Sequence, residues 1–167
     1  MPLIKGGEIV ADAWRHLRDD EPLPAAGAVS VTLPRWQAER AALIVRGTPL
    51  GVRLQSSDLA EAIGSDAGNL QLIIIAFPSF RDGRPYSTAR LLRERYGFRG
   101  ELRASGDVLR DQLMFMQRCG FDAFDVTAAD ALAAWQKATS EISVVYQAAA
   151  DQRLPAPRLR HLREAAE

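Results

Sequence analysis

The stretch Leu70-Gln71-Leu72-Ile73-Ile74-Ile75-Ala76-Phe77-Pro78-Ser79-Phe80-Arg81-Asp82-Gly83-Arg84-Pro85-Tyr86-Ser87 decides the fold. Residues 70–77 are almost all aliphatic or aromatic, the composition of a strand covered on both faces, as in a parallel sheet. Pro78 stops it and a polar loop follows. Ser87 is then placed as the N-cap of a helix that carries Ala89, Leu92 and Tyr96 on one face and closes at Gly97.

The same order recurs downstream. Residues 100–104 read as a strand, and Asp107 is placed to cap a helix burying Leu109, Leu113 and Met116 up to Gly120. Residues 121–126 make the next strand. Thr127, with Asp130 three positions on, has the form of a capping box for a last helix with Leu132 and Trp135 facing inward. Upstream, residues 51–54 form a short strand before a helix at 58–63, where Asp58 and Glu61 pair as a capping box. Pro34 opens a helix with Trp36, Arg40 and Leu43 at helical spacing, and Trp36 and Trp135 read as core residues. The N-terminal Leu3-Ile4-Lys5-Gly6-Gly7-Glu8-Ile9-Val10 predicts a small hairpin, and residues 19–27, with Pro22 and Pro24, a loop.

Strand-loop-helix repetition demands parallel pairing with right-handed crossovers. The expected class is therefore α/β. Its parallel β/α units form an open sheet, or half of a β/α barrel that pairs with a second copy. The 167 residues, 47% hydrophobic, suit one domain over 1–150, with a basic, proline-containing tail over 151–167. Val144-Val145-Tyr146 reads as one more short strand before that tail.

Lys plus Arg equal Asp plus Glu at 21 each, which argues against nucleic acid and anionic membranes as partners. A cytoplasmic protein is expected, because no basic-then-apolar leader and no run of membrane-spanning length is present. Cys119 is the only cysteine, and His16 and His161 are the only histidines, so neither a metal site nor a redox couple is expected. No cofactor is expected either, since G-x-G-x-x-G and Walker glycine loops are missing. A hydrolase triad is unexpected: there is no G-x-S-x-G elbow and no histidine sits near a serine in the sequence.

In open parallel sheets and in β/α barrels, ligands meet the carboxyl ends of the strands. Residues 79–86 and 105–107 fall there. Arg81 and Arg84 supply forked donors, and the free amides of the following helix add positive partial charge, a combination suited to a small oxyanion. Tyr86 and Ser87 shape that edge, with Arg103, Ser105 and Arg110 joining from the next unit. The competing reading pairs Arg81 and Arg84 with Asp82 or Asp107 to fix the loop. Asp107 and Asp111 are the candidate catalytic carboxylates, with Asp122 nearby in sequence; Cys119, at a helix C-terminus, reads as a packed thiol.

Phe80-Arg81-Asp82-Gly83-Arg84, Tyr86-Ser87-x-x-Arg90-Leu91-Leu92-Arg93, residues 100–112 and Arg118-Cys119-Gly120-Phe121-Asp122-Ala123-Phe124 occur in that order. Together they resemble the bacterial family catalogued as domain of unknown function 934. Members are commonly encoded beside assimilatory sulfite reductase and are often labelled oxidoreductases of sulfite reduction. The resemblance implies an accessory protein of sulfite assimilation whose arginine loops bind a small oxyanion or the sulfite reductase. The alternative is a small lyase, transferase or oxidoreductase using Asp107 or Asp111 as general acid-base on an anionic sulfur compound. A third reading is an interaction module that contacts its partner through Tyr146 and the basic tail.

Overall fold

The computed structural model describes residues 2–126, 131–151 and 153–164. An N-terminal hairpin, β1 (Leu3–Lys5) and β2 (Glu8–Val10), precedes β3 (Arg15–His16) and β4 (Val29–Thr32). Then come α1 (Leu33–Val45), β5 (Leu50–Leu54), α2 (Glu61–Gly64), β6 (Leu72–Phe77), α3 (Arg84–Glu94) and β7 (Glu101–Gly106). A short 3₁₀ turn at Arg110–Gln112 leads to α4 (Leu113–Arg118), β8 (Ala123–Asp125), α5 (Ala131–Ser140) and α6 (Ala156–Glu164).

All eight strands join one sheet in the order β2-β1-β8-β7-β6-β5-β4-β3. From β3 to β8 every neighbour is parallel, while β1 runs antiparallel to β8 and to β2. The edge strands β2 and β3 are consecutive in the chain, joined by residues 11–14 alone. A flat eight-stranded sheet would hold its edges about 34 Å apart at ~4.8 Å per strand. Five Cα steps span at most about 18 Å. The sheet therefore curls into a half-barrel, closed across its mouth by this linker. That settles the choice between an open sheet and a half-barrel.

Strand order that advances one step at a time, with right-handed crossovers, places every crossover helix on the same face. The outer-facing Val31, Val52, Ile73, Ile75, Leu102 and Phe124 accordingly share a core with Trp36 and Leu43 of α1, Leu92 of α3 and Met116 of α4. By register the inner face carries Ser30, Arg53, Ile74, Arg103 and Ala123. Charged side chains inside a curled sheet require partners, and these are described below.

The parallel units and the hairpin appear as expected, and β6 coincides with the apolar run that decided the fold. Several local expectations are corrected. β4 was not foreseen, because Ser30 interrupts its apolar pattern and a proline helix starts immediately after it. α3 begins at Arg84, not at Ser87: Pro85 occupies its first turn, where a missing N–H costs nothing, so Ser87 lies inside the helix and caps nothing. Asp107 caps no helix either, since α4 starts only after the 3₁₀ turn, with Gln112 at its N-cap. Of Val144-Val145-Tyr146 only Val145 pairs, in an isolated bridge to Pro155. The tail contains α6. The Thr127–Asp130 cap lies outside the described residues.

Candidate functional site

The loops at the carboxyl ends of β6 and β7 are tied to each other. The Asp107 carboxylate accepts the Phe80 amide at 2.8 Å, and Gln112 Nε2 donates to the Phe80 carbonyl at 2.8 Å. The Asp107 amide donates to the Phe77 carbonyl at 2.8 Å. Gly106 makes this approach feasible: its φ is +104°, and a Cβ there would lie 2.4 Å from the Phe77 oxygen.

Within the first loop, Arg84 grips Asp82 through Nε (2.9 Å) and Nη2 (2.7 Å), and Nη2 also donates to Ser56 Oγ at 3.1 Å. The Arg84 hydrogen bonds hold the Asp82 carboxyl well below the usual range. Asp82 also accepts the Arg84 amide at 3.1 Å, so the start of α3 already has a carboxylate on it. Arg81 is different. It is exposed, its guanidinium lies 5.4 Å from the Phe80 ring centroid, and it forms no ion pair among the described residues.

Tyr86 is half-buried, edge-on to Phe77 at 5.2 Å and 4.9 Å from Phe115, and burial pushes its hydroxyl up to about 12. Ser87 is exposed on α3, Arg110 lies 3.9 Å from Glu141, and Asp111 is exposed beside it. Arg81, Arg84, Tyr86, Asp107, Arg110 and Asp111 thus share one edge. Arg103 does not. It is fully buried on the inner face, the face on which Ser105 also lies by register.

Apolar side chains, of which sequence reading assigned only Tyr146 to a contact, crowd the same edge. Phe80 and Leu109 are exposed in the two loops. Phe115 (57% exposed), Ile142 (51%), Val144 (54%) and Tyr146 (80%) line a groove of about 500 Å³, with Arg110, Arg118 and Glu141 contributing charge. The signal was present as Phe115 on an otherwise buried helix pattern and as the apolar residues 142–146.

Inside the half-barrel a chain of polar contacts crosses the inner face. Lys5 Nζ donates to Glu101 (2.7 Å), and Arg103 donates to Glu101 through Nε (2.9 Å) and Nη2 (2.7 Å). Arg103 also donates to Asp12 through Nη1 (2.6 Å) and Nη2 (3.2 Å). Asp12, in the closing linker, accepts His16 Nε2 at 2.8 Å, and His16 Nδ1 lies 2.6 Å from Ser30 Oγ. Arg53 Nη1 donates to that same Oγ at 2.9 Å, and its Nη2 bonds the Leu17 carbonyl. The tautomer that satisfies every partner places the His16 proton on Nε2 and lets Ser30 donate to Nδ1. Burial alone would raise Asp12, but the bonds from Arg103, His16 and the Trp14 amide hold it well below the carboxylate range.

His16 and Ser30, 14 positions apart in the sequence, meet here through the fold. The Asp12–His16–Ser30 array nevertheless has no reach to a substrate: Ser30 is fully buried in mid-strand and its oxygen already takes an Arg53 proton. Its role is to close the half-barrel. Elsewhere, Asp122 accepts the Leu102 amide and Arg93, and burial raises it. Cys119 is buried, which pushes its thiol up. Among the described residues no group of three or more His, Cys, Asp or Glu could hold a metal ion, and no helix is long and apolar enough to cross a membrane.

A family model described as bacterial protein of unknown function (DUF934) matches residues 51–156, the greater part of the chain, and the chain belongs to that family. No curated protein matches it. The matched span contains the whole loop edge and groove, together with Arg53, Glu101 and Arg103, but not Asp12, His16 or Ser30.

Proposed function

We propose that this member of the DUF934 family is an accessory protein of assimilatory sulfite reduction that docks on sulfite reductase. Its binding surface is the carboxyl edge of the half-barrel, with Phe80, Phe115 and Tyr146 as apolar anchors and Arg81 and Arg110 meeting acidic groups on the partner. The pathway comes from the resemblance to a family encoded beside the reductase. The observation that carries the mode of action is the exposure of large apolar side chains along one edge, interleaved with arginines. Aromatic residues and arginine are enriched at protein interfaces, and contiguous exposed apolar surface marks binding sites.

Docking is favoured over capture of a small oxyanion at these loops. Arg84 is spent on Asp82, and the same carboxylate already takes the Arg84 amide at the start of the helix. Acid-base catalysis by Asp107 is disfavoured in the same way, because its carboxylate holds the Phe80 amide.

The test is genetic complementation. A strain lacking the gene should fail on sulfate and sulfite and recover on sulfide or cysteine. A Phe115→Ala, Tyr146→Ala gene should fail to restore growth although the protein accumulates, because both side chains are exposed and contribute little to the core. Full rescue by that double variant would refute the docking surface.

A further inference from the structure

A cavity of about 720 Å³ lies at the other end of the strands from the docking edge. Arg99 precedes β7, residues 120–122 precede β8, and Lys5 pairs with Ala123, the first residue of β8. The hairpin tip and α5 form its sides. Gly6 and Gly7 turn with φ of +60° and +84°, and a Cβ at Gly7 would stand 3.1 Å from the Trp135 indole nitrogen. The glycine pair brings the tip against α5 without filling the space between.

Four cations and two carboxylates line this space, and their partners decide what it accepts. Both carboxylates are occupied. Asp122 takes the Leu102 amide and Arg93, each at 2.8 Å, and Asp151 takes Arg118 at 3.1 Å and the Arg153 amide at 3.3 Å. Arg93 is spent too, on the carbonyls of Phe98, Gly100 and Gly120 at 2.8–2.9 Å and on Asp122. The others keep donors to spare. Arg99 is exposed and forms no ion pair among the described residues. Lys5 spends one bond on Glu101, and Arg153 gives Nη1 to the Ile142 carbonyl at 3.2 Å while Nε stays 3.9 Å from Asp151.

Unmatched cationic donors call for an acceptor-rich anion. Cavities of about 300–1,000 Å³ take organic molecules, whereas a bare oxyanion fills a small part of such a space. Phe121 and Trp135 add an apolar wall. We infer that this cavity binds an organic phosphate ester of up to nucleotide size, its phosphate held by Arg99, Lys5 and Arg153.

Calorimetric titration of the full chain with adenosine 5′-monophosphate, ribose 5-phosphate and inorganic phosphate tests it. At least one ester should bind one to one, with Arg99→Ala and Arg153→Ala each weakening it about tenfold, the loss expected for one charged hydrogen bond. Arg99 is exposed, so its variant keeps the fold. The Trp135→Phe protein should lose the ligand-induced change in tryptophan emission. Three results would overturn the site: neither ester binding at millimolar concentration, binding unaffected by both arginine variants, or inorganic phosphate binding as tightly as the esters. None of these residues lies in the docking groove, so failure here leaves the reductase proposal standing, and the reverse holds.

Discussion

Asp12→Ala should open the half-barrel at its closing linker, at a cost that follows from what Asp12 leaves behind. Its carboxylate holds two Arg103 nitrogens at 2.6 and 3.2 Å, and the Arg103 side chain is fully buried. Removing one partner of a fully buried ion pair costs about 3–5 kcal/mol; here only Arg103 is fully buried and the Asp12 side chain is 31% exposed, which holds the cost to the bottom of that range. Arg103 retains Glu101 at 2.7 Å and has Asp125 at 3.8 Å, so the lower end applies, about 3 kcal/mol. In a chain of this size that lowers the melting temperature by about 6–12 °C. Urea denaturation and calorimetry at neutral pH measure it, with Asp20→Ala as control. Asp20 is exposed and faces Arg18 at 3.5 Å, so its loss should stay within about 0.5 kcal/mol.

Acid supplies a second check. The Asp12 carboxyl is depressed in the folded state, so its stabilisation is complete above the unfolded value, near 3.9, and disappears as pH falls through the lower folded value. The stability gap between the wild type and Asp12→Ala should therefore shrink as pH drops from about 5 towards 2. A gap under about 0.5 kcal/mol at neutral pH, or one that grows in acid, would refute the reasoning.

Two further outcomes are expected. Gly106→Ala forces a side chain into a φ of +104° and against the Phe77 carbonyl, so it should lower stability by about 2 kcal/mol or more in urea titration; a neutral result would mean that the two edge loops are not locked as described. Cys119, buried and with its thiol pushed up, should resist a thiol reagent at pH 8 in the native protein and react at once in denaturant, and rapid native labelling would contradict its burial.

Much of the fold was legible because it rests on local signals. The unbroken aliphatic run became β6, and the glycine pair became the turn of the β1–β2 hairpin. The half-barrel was one of two architectures the sequence offered, and the sequence did not choose between them. The choice depends on β3 lying at the far edge from β2, a long-range fact that four linker residues do not announce. β4 escaped because inward-facing Ser30 carries a hydrogen bond rather than an apolar contact, and period-two reasoning rewards only the latter.

For the candidate site, the sequence located the edge but not the state of its side chains. Arg84 and Asp82 are two residues apart, and their pairing was one of the readings the sequence offered. Arg103 was placed with the loops because β7 ends there, yet strand alternation turns it inward, to a partner 91 positions away. The groove went unassigned for another reason. Val144-Val145-Tyr146 read as a short strand, and only the tertiary setting leaves Ile142, Val144 and Tyr146 exposed.

The most direct measurement is the affinity of the purified chain for purified sulfite reductase, compared between the wild type and the Phe115→Ala, Tyr146→Ala double variant. The account predicts a saturable complex, weakened at least about a hundredfold by the loss of two interface anchors and weakened again by Arg81→Ala. No complex with the reductase, or one that the double variant forms equally well, would contradict it.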